Sequence, residues 1–401
     1  MSRRSSREGS VYKYKTPGGA TRWRFQIWVP SEVLGKKERL SQAGFKSATD
    51  ANAALHEVIV KIKKHERVVR KSDMPTFTQQ ANTWLAGLVS HEGATIQGYQ
   101  KNLRNHLLPY IGHLKLDDLT PALLSTHFSR LSKTGRKDSK DFGGKLGNNT
   151  LHKVGTVVSL ILESAVDNGV LAVNAMRKVK LGSIQRVHQE EQVWSIDQIN
   201  LFLSWNQSAQ QDDLNPLWHL IAYTGLRRGE ALALKWSDID LPKKRLKVLR
   251  STDSSEPHST KEPKTKSSRR SLMLDEQLVA RLKAYKSHRA QLGWGLVDSD
   301  SWVFGGLNGQ LRVANDVSAR WARMVNKAVV TFGKERLPRV TIKGLRHSHA
   351  TALLEMGVHP KVIQERLGHS TFKLTMDTYS HVTETMQANA IQMLDELLSA
   401  S

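Results

Sequence analysis

The sequence predicts an α+β protein that is mainly α-helical and is divided into two or three domains. Its 401 residues are enough for each domain to bury a core of its own. Apolar and polar residues alternate with a period of two near the N-terminus, as in a half-buried strand. After residue 74, apolar residues recur mostly at helical spacing. These observations favour a small sheet domain, then a helical domain, then a mixed and mostly helical one.

Residues 10–45 are predicted to form a three-stranded sheet that is followed by a helix. Within 23–29 every second residue is a large apolar one, and Ser47 with Asp50 is a helix-start signal. A basic linker, residues 63–73, comes next. Because a strand ribbon fits a major groove, five cations of this region are predicted to contact DNA, with a solvated surface as the alternative. They are Arg22, Arg24, Arg39, Lys63 and Lys64.

Residues 74–182 are predicted to form a small helical module. Thr120-Pro121 is an N-cap followed by proline at the first helical position. A long helix is expected from Asn149, running through Val154, Leu160 and Ile161. No group of side chains here suggests chemistry. We therefore expect the module to bind duplex DNA through lysine and arginine side chains, with a purely structural role as the alternative.

The composition narrows the possible partners and cofactors. With 60 Lys+Arg against 37 Asp+Glu, the formal net charge is +23, which favours a polyanion such as nucleic acid as partner. There is no cysteine, no apolar signal core and no long apolar run, so a cytoplasmic, nucleoid-associated protein is expected. A phosphate-binding G-x-x-x-x-G-K-[ST] loop is lacking too. His347 and His349 are two residues apart on a helix and do not face the same way. We expect neither a cofactor nor a metal.

The C-terminal region, residues 190–401, carries the candidate chemistry. Arg227 and Glu230 are three residues apart at the start of a predicted helix and therefore share a face. An arginine at a helix N-terminus suggests a phosphate site. Lys264 lies in a polar loop near the start of a predicted return strand, although a solvated loop charge is the ordinary interpretation of such a lysine.

The remaining candidates follow later in the chain. Lys343 and Arg346 are three residues apart in a predicted helix, and Tyr379 follows ten residues after His369. A tyrosine hydroxyl, with an ordinary pKa of about 10, is a poor nucleophile at neutral pH. It becomes useful where cations and hydrogen-bond donors favour its ionised form. The arginines and lysines above would supply that environment.

These motifs resemble those of the tyrosine recombinases, and of phage-type integrases in particular. The resemblance rests on four ordered motifs: Thr224-Gly-Leu-Arg-Arg-Gly-Glu230, Pro263-Lys-Thr-Lys266, Gly344-Leu-Arg-His-Ser-His-Ala350, and Leu367-Gly-His-Ser370 with its tyrosine. It covers the whole chain. It implies an arm-type DNA-binding domain in residues 1–70, a core-type DNA-binding domain in 74–182 and a catalytic domain of the tyrosine recombinase type in 190–401.

The resemblance also implies a role for each candidate residue. Tyr379 would attack a DNA phosphodiester and form a 3′-phosphotyrosine, while Arg227 and Arg346 hold the non-bridging oxygens. Lys264 would protonate the leaving 5′-oxygen. His369 would donate to the phosphate, and Glu230 would orient the site.

One position departs from the family pattern. The motif usually carries histidine where this chain has Lys343. Lysine can bond a phosphate oxygen, but an ordinary lysine, with a pKa near 10.4, does not readily accept a proton from tyrosine at neutral pH. Either Lys343 acts only through its charge, or adjacent arginines lower its pKa.

The resemblance further implies partners. The apolar residues between Met386 and Leu398 are expected to form a tail that docks on a neighbouring subunit of a homotetramer on DNA. A host DNA-bending protein and an excision factor are implied as well. Two alternatives stay open: a transposon integrase or DNA invertase of the same family, and a DNA-binding protein without catalysis.

Overall fold

The computed structural model describes residues 9–30, 37–63, 73–137, 143–181, 191–263 and 268–369, and four single positions near the C-terminus. The chain forms two compact units, 1–188 and 189–401. No helix in the described ranges is both long enough and apolar enough to cross a lipid bilayer.

The first unit begins with an antiparallel sheet of three strands, β1 (Ser10–Lys15), β2 (Thr21–Pro30) and β3 (Lys37–Phe45), in that order. Phe25 and Ile27 are buried against Leu55 of helix α1 (Ala48–Lys63). The backbone N–H of Asp50 donates to the Ser47 hydroxyl at 3.1 Å. The predicted sheet and helix start are therefore confirmed.

A helical core follows in the same unit. Its helices are α2 (Phe77–Ala86), α3 (Gly93–Asn102), α4 (Leu108–Ile111), α5 (Pro121–Thr134) and α6 (Asn148–Asp167). The Thr120 hydroxyl accepts the backbone N–H of Leu123 at 3.2 Å, which confirms the predicted cap of α5. Val154 and Ile161 of α6 are fully buried, but Leu160 is 38% exposed. Leu160 lies six residues after Val154, about 240° around the helix, so it faces away from this core. The predicted helix from Asn149 is confirmed.

The second unit surrounds a small sheet with helices. In chain order its elements are α7 (Ile196–Ser208), α8 (Asn215–Thr224), α9 (Arg228–Leu232), β4 (Ile239–Asp240), β5 (Arg245–Val248), β6 (Ser251–Thr252), β7 (Thr260–Lys261), β8 (Arg270–Met273), α10 (Glu276–Leu292), α11 (Ala314–Phe332), α12 (Ile342–Glu355) and α13 (Pro360–Leu367). Strands β4, β5 and β8 form one antiparallel sheet, and β6 pairs with β7.

A tryptophan cluster fixes the start of α12. The Trp321 ring centroid lies 5.7 Å from that of Trp194 and 5.0 Å from that of Trp218, and all three side chains are buried. The indole N–H of Trp321 donates to the Val340 carbonyl at 2.8 Å. Thr341 then caps α12, accepting the backbone N–H of Gly344 at 2.9 Å. The helix that carries Lys343 and Arg346 is thus anchored to the core.

Candidate active site

The ends of two helices meet in the second unit. Helix α8 ends at Gly225 with φ of +65°, and α13 ends at Gly368 with φ of +67°. Glycine is favoured in this left-handed region. A Cβ atom at position 225 would lie only 2.6 Å from side-chain atoms of His349 and of Leu367. The two ends therefore pack too closely for a side chain at this position.

Arg346 is held between these helix ends. Its guanidinium group donates to the Gly225 carbonyl at 2.7 Å and to the Leu367 carbonyl at 2.8 Å. The residue is 7% exposed. Carbonyl groups at helix C-termini carry partial negative charge and stabilise a cation there. The position of this guanidinium is consequently set by backbone groups of two helices.

Arg227, at the start of α9, also donates to the Leu367 carbonyl that Arg346 binds. One of its terminal nitrogens donates to Glu230 at 2.8 Å and to the Leu367 carbonyl at 3.5 Å, and the other donates to the Gly368 carbonyl at 2.9 Å. The side chain is 41% exposed. Arg227 and Arg346 thus lie side by side, and the exposed edge of Arg227 is open to an incoming anion.

His369 directly follows the end of α13 and is 7% exposed. Burial, with the positive charges of Arg346 and Arg227, lowers the pKa of its imidazole from 6.5 to about 4. The ring is therefore neutral at pH 7. A neutral imidazole still carries one N–H that can donate a hydrogen bond to a phosphate oxygen.

Glu230 is buried and accepts hydrogen bonds from two arginines. It pairs with Arg227 and also with Arg270, whose terminal nitrogens lie 2.9 Å and 3.3 Å from its carboxylate oxygens. Burial raises the pKa of this carboxyl, but the hydrogen bonds and charge of Arg270, with the charge of Arg227, outweigh that effect and bring it below its ordinary value. Glu230 is therefore ionised at pH 7.

Sequence reasoning missed Arg270. The available signal was weak: Arg270 is two residues before Leu272, so in a strand both side chains face the same way. Leu272 is buried, and the Arg270 side chain is 7% exposed. Nothing in the sequence distinguished it from the other basic residues of the chain.

Lys343 lies at the edge of this cluster. Its ammonium group donates to Glu191 at 2.8 Å, and its side chain is 67% exposed. It lines a cavity of about 480 Å³ together with Arg227, Arg346 and two further arginines, Arg228 and Arg339. None of the described residues that line this cavity is acidic. All the charged side chains that line this cavity are therefore positive.

The two histidines of α12 differ in their surroundings. His349 accepts a hydrogen bond from Arg366 at 3.1 Å, and burial with the charge of Arg366 lowers its pKa to about 3. Burial and the charge of Lys343 lower the pKa of His347. Among the residues that the structure describes, no group of three or more His, Cys, Asp or Glu side chains is arranged to hold a metal ion.

In the first unit, the outer face of the sheet alternates arginines with aromatic residues. Tyr12 lies opposite Arg24, Tyr14 opposite Arg22, and Trp28 opposite Arg39. Tyr12 is 43% exposed and Trp28 is 52% exposed. This face therefore offers both cations and flat rings to a partner.

Several predicted residues lie outside the part of the chain that the structure describes. They are Lys64, Lys264, Tyr379 and most of the predicted tail. Lys63 ends α1. The structure thus brings together Arg227, Glu230, Arg346 and His369, with Lys343 beside them, while their catalytic roles stay predictions.

Three family profiles match the chain in succession. Residues 10–62 match the arm DNA-binding domain, 76–131 match the N-terminal SAM-like domain of phage integrases, and 195–386 match the phage integrase family. These matches follow the order of the predicted domains.

Two curated relatives align with most of the chain. A tyrosine recombinase XerC-like protein of Caldanaerobacter subterraneus subsp. tengcongensis is 27% identical over 80% of this chain and 83% of its own. The ICEBs1 integrase of Bacillus subtilis is 27% identical over 83% of this chain and 86% of its own. Both alignments extend well beyond a single motif.

Solved structures share the fold. A Tn1549 transposon integrase in complex with transposon right end DNA has a TM-score of 0.66 at 20% identity, covering 80% of this chain and 99% of its own. A lambda integrase tetramer bound to a Holliday junction has a TM-score of 0.57 at 15% identity, covering 94% of this chain and 96% of its own.

Proposed function

We propose that this chain, which belongs to the tyrosine recombinase family of phage-type integrases, cuts and rejoins duplex DNA at specific sites through a 3′-phosphotyrosine intermediate. Through this reaction it integrates, and excises, a phage or a similar mobile element. The observation that carries the proposal is the pair of guanidinium groups of Arg227 and Arg346, which share the Leu367 carbonyl.

The paired arginines suit a phosphodiester that gains negative charge. Guanidinium groups are planar, permanently charged donors that bind phosphate oxygens well. Donors held in place before the reaction stabilise the pentacoordinate state without reorganising. The neutral His369 ring adds a further N–H. Backbone carbonyls of two helix ends fix Arg346, which supports such preorganisation.

The proposed reaction exchanges one phosphate ester for another. The Tyr379 hydroxyl attacks phosphorus, a tyrosine–phosphorus bond forms, and the bond from phosphorus to the 5′-oxygen breaks. Lys264 gives a proton to that leaving oxygen. The 5′-hydroxyl of a partner duplex then attacks the phosphotyrosine and releases Tyr379. Because the energy of the ester is retained, the steps require neither nucleotide nor metal.

The domains at the N-terminal side are proposed to hold the DNA. The outer sheet face around Arg22, Arg24 and Arg39 would contact arm-type sites, and Lys63 and Lys64 would make further DNA contacts. Residues 74–182 would bind the core site. The lambda integrase tetramer on a Holliday junction supports a homotetramer as the working assembly. A host DNA-bending protein and an excision factor belong to the same proposal, as does association with the nucleoid.

A nicked suicide duplex tests the proposal. Its top strand is interrupted just beyond the cleavage site, so the short 5′-hydroxyl fragment diffuses away and traps the protein on the DNA. We expect a covalent adduct with the unaltered protein and none with Tyr379→Phe. Tyr285→Phe, in α10, is the matched control and should form the adduct normally. Equal adduct from Tyr379→Phe, or none from the unaltered protein, would contradict the proposal and favour a DNA-binding protein without catalysis.

The type of mobile element has a second candidate. The ICEBs1 integrase aligns with most of the chain, and the transposon integrase shares the fold. A transposon is therefore an alternative to a phage. Sequencing the junctions of the element in its host would decide between them.

A further inference from the structure

Arg270 forms hydrogen bonds with three segments of the second unit. Its Nε donates to the Arg366 carbonyl at 2.7 Å, near the end of α13. One terminal nitrogen donates to the Ser268 carbonyl at 3.2 Å, within its own segment. The two terminal nitrogens also bind the carboxylate of Glu230. One buried side chain therefore connects the start of β8, the start of α9 and the end of α13.

The bond to Glu230 bears directly on Arg227. The Glu230 carboxylate is 4% exposed, and leaving a buried carboxylate with too few partners costs free energy. With Arg270 in place, Arg227 gives Glu230 its backbone N–H, at 2.9 Å, and only one terminal nitrogen. It donates its other terminal nitrogen to the Gly368 carbonyl. Without Arg270, Arg227 would be the only arginine that binds this carboxylate among the residues that the structure describes. A bidentate pairing between them would then be favoured.

Such a pairing would turn Arg227 away from its present position. Its exposed edge, open to an anion, lies beside Arg346 because its two terminal nitrogens have different partners. If both terminal nitrogens bound Glu230, the exposed edge of Arg227 would move away from the anion site. The hydrogen bond from Arg227 to the Gly368 carbonyl would also be lost. The backbone of Gly368 directly precedes His369, so the end of α13 would lose two of its arginine contacts, those from Arg270 and from Arg227.

We propose that Arg270 is a positioning residue that satisfies the Glu230 carboxylate and thereby keeps Arg227 available to the scissile phosphate. This inference rests on the proposed function, since it assigns Arg227 to a phosphate oxygen. Arg270 itself does not contact the DNA in this proposal. It acts through Glu230 and Arg227.

The test compares two suicide duplexes that differ at one atom. The first has an ordinary phosphodiester at the cleavage site, and the second has a methylphosphonate, in which a neutral methyl group replaces one charged oxygen. A defect in an arginine that stabilises charge on that oxygen should matter less on the neutral substrate. A general loss of structure should slow both reactions equally. The variants are Arg270→Met and, with the charge kept, Arg270→Lys.

We expect Arg270→Met to form adduct on the phosphodiester about 10- to 100-fold more slowly than the unaltered protein, less than the roughly 10²–10³-fold loss for a direct donor. On the methylphosphonate the loss should fall below about threefold, as it should for Arg227→Ala. Arg270→Lys should show a smaller loss with the same dependence on substrate, because lysine cannot provide the bidentate geometry. If Arg270→Met does not fold, Arg270→Lys decides the question.

Arg320→Met is the matched control. Arg320 pairs with Asp212 and Asp213 and has no bond to the site, so any loss of stability should affect both substrates equally. An equal loss on both substrates for a folded Arg270 variant, or no loss on either, would overturn the inference alone. Absence of adduct from the unaltered protein on the phosphodiester would overturn the proposed function and this inference with it.

Discussion

The position of the Lys343 ammonium group favours an electrostatic role over proton transfer. The side chain is two-thirds exposed and donates to Glu191, while it lines the same positive cavity as Arg227 and Arg346. When a phosphate enters, this flexible side chain can exchange Glu191 for a phosphate oxygen. We therefore expect hydrogen bonding and charge to be the contribution of position 343.

Substitutions at position 343 test this expectation. Lys343→His should retain activity, because an imidazole can still donate to the phosphate. Lys343→Ala should lower the rate of adduct formation by about 10²-fold, because no donor is left. Rates on the suicide duplex are the measurement, with Lys361→Ala, an exposed lysine paired with Glu365, as control. Equal losses in the histidine and alanine variants would count against the assignment.

At the end of α8, the backbone of Gly225 helps to position Arg346. Gly225 has φ of +65°, has no room for a Cβ atom, and presents its carbonyl to Arg346. Gly357, just after α12, also has a positive φ of +74°, but a Cβ atom there would meet nothing within 4 Å. Substitution of Gly357 therefore tests the effect of backbone strain alone. Substitution of Gly225 tests strain together with displacement of the site.

Alanine at each position should give different results. Gly357→Ala should lower the free energy of unfolding by about 1 kcal/mol through strain and leave adduct formation unchanged. Gly225→Ala should cost more stability and slow adduct formation roughly tenfold, because Arg346 loses a fixed acceptor. Urea unfolding and adduct rates are the measurements. Identical effects of the two substitutions would show that Gly225 has no special link to Arg346.

Local patterns were enough to predict most helices and strands of the described chain, because caps and periodicity act within a few residues. The hydroxyl groups of Ser47 and Thr120 accept backbone N–H groups at the starts of α1 and α5, where the sequence predicted them. The short pair β6 and β7 was not predicted, since two-residue strands carry no period.

The site could be predicted only in part. The motifs identified Arg227, Glu230 and Arg346. The acceptor that the two arginines share, the carbonyl of Leu367, is a backbone atom that no residue type reveals. Arg270 was missed because its partners, Glu230 and Arg366, are 40 and 96 residues away in the chain. Contacts over such distances depend on the fold.

Among its described residues, the second unit buries three histidines in neutral form. Burial, and then a neighbouring arginine charge, lowers the pKa of His219 to about 4, of His349 to about 3 and of His369 to about 4. In the unfolded chain such side chains take up a proton below a pH of about 6.5. Between pH 6.5 and 4 the unfolded state therefore binds more protons than the folded state.

The stability of this unit should consequently fall as the pH is lowered from about 6.5. The stabilisation from the neutral histidines is fully present above that pH, and its loss reaches about 1.4 kcal/mol per pH unit for each histidine. The urea midpoint of tryptophan fluorescence, at constant ionic strength between pH 7.5 and 5.0, measures it. His219→Gln should reduce the dependence, because it removes one of these histidines. A midpoint that stays constant below pH 6.5 would contradict the assigned burial.

The central claim is that Tyr379, Arg227 and Arg346 converge on one phosphorus atom of bound duplex. A crystal structure of the protein with nicked DNA and orthovanadate tests it most directly, because vanadate adopts the pentacoordinate geometry of the transferring phosphate. We expect vanadium bonded to the Tyr379 oxygen, with both guanidinium groups about 3 Å from its equatorial oxygens. Vanadate bound without Tyr379, or the two arginines on different phosphates, would contradict it.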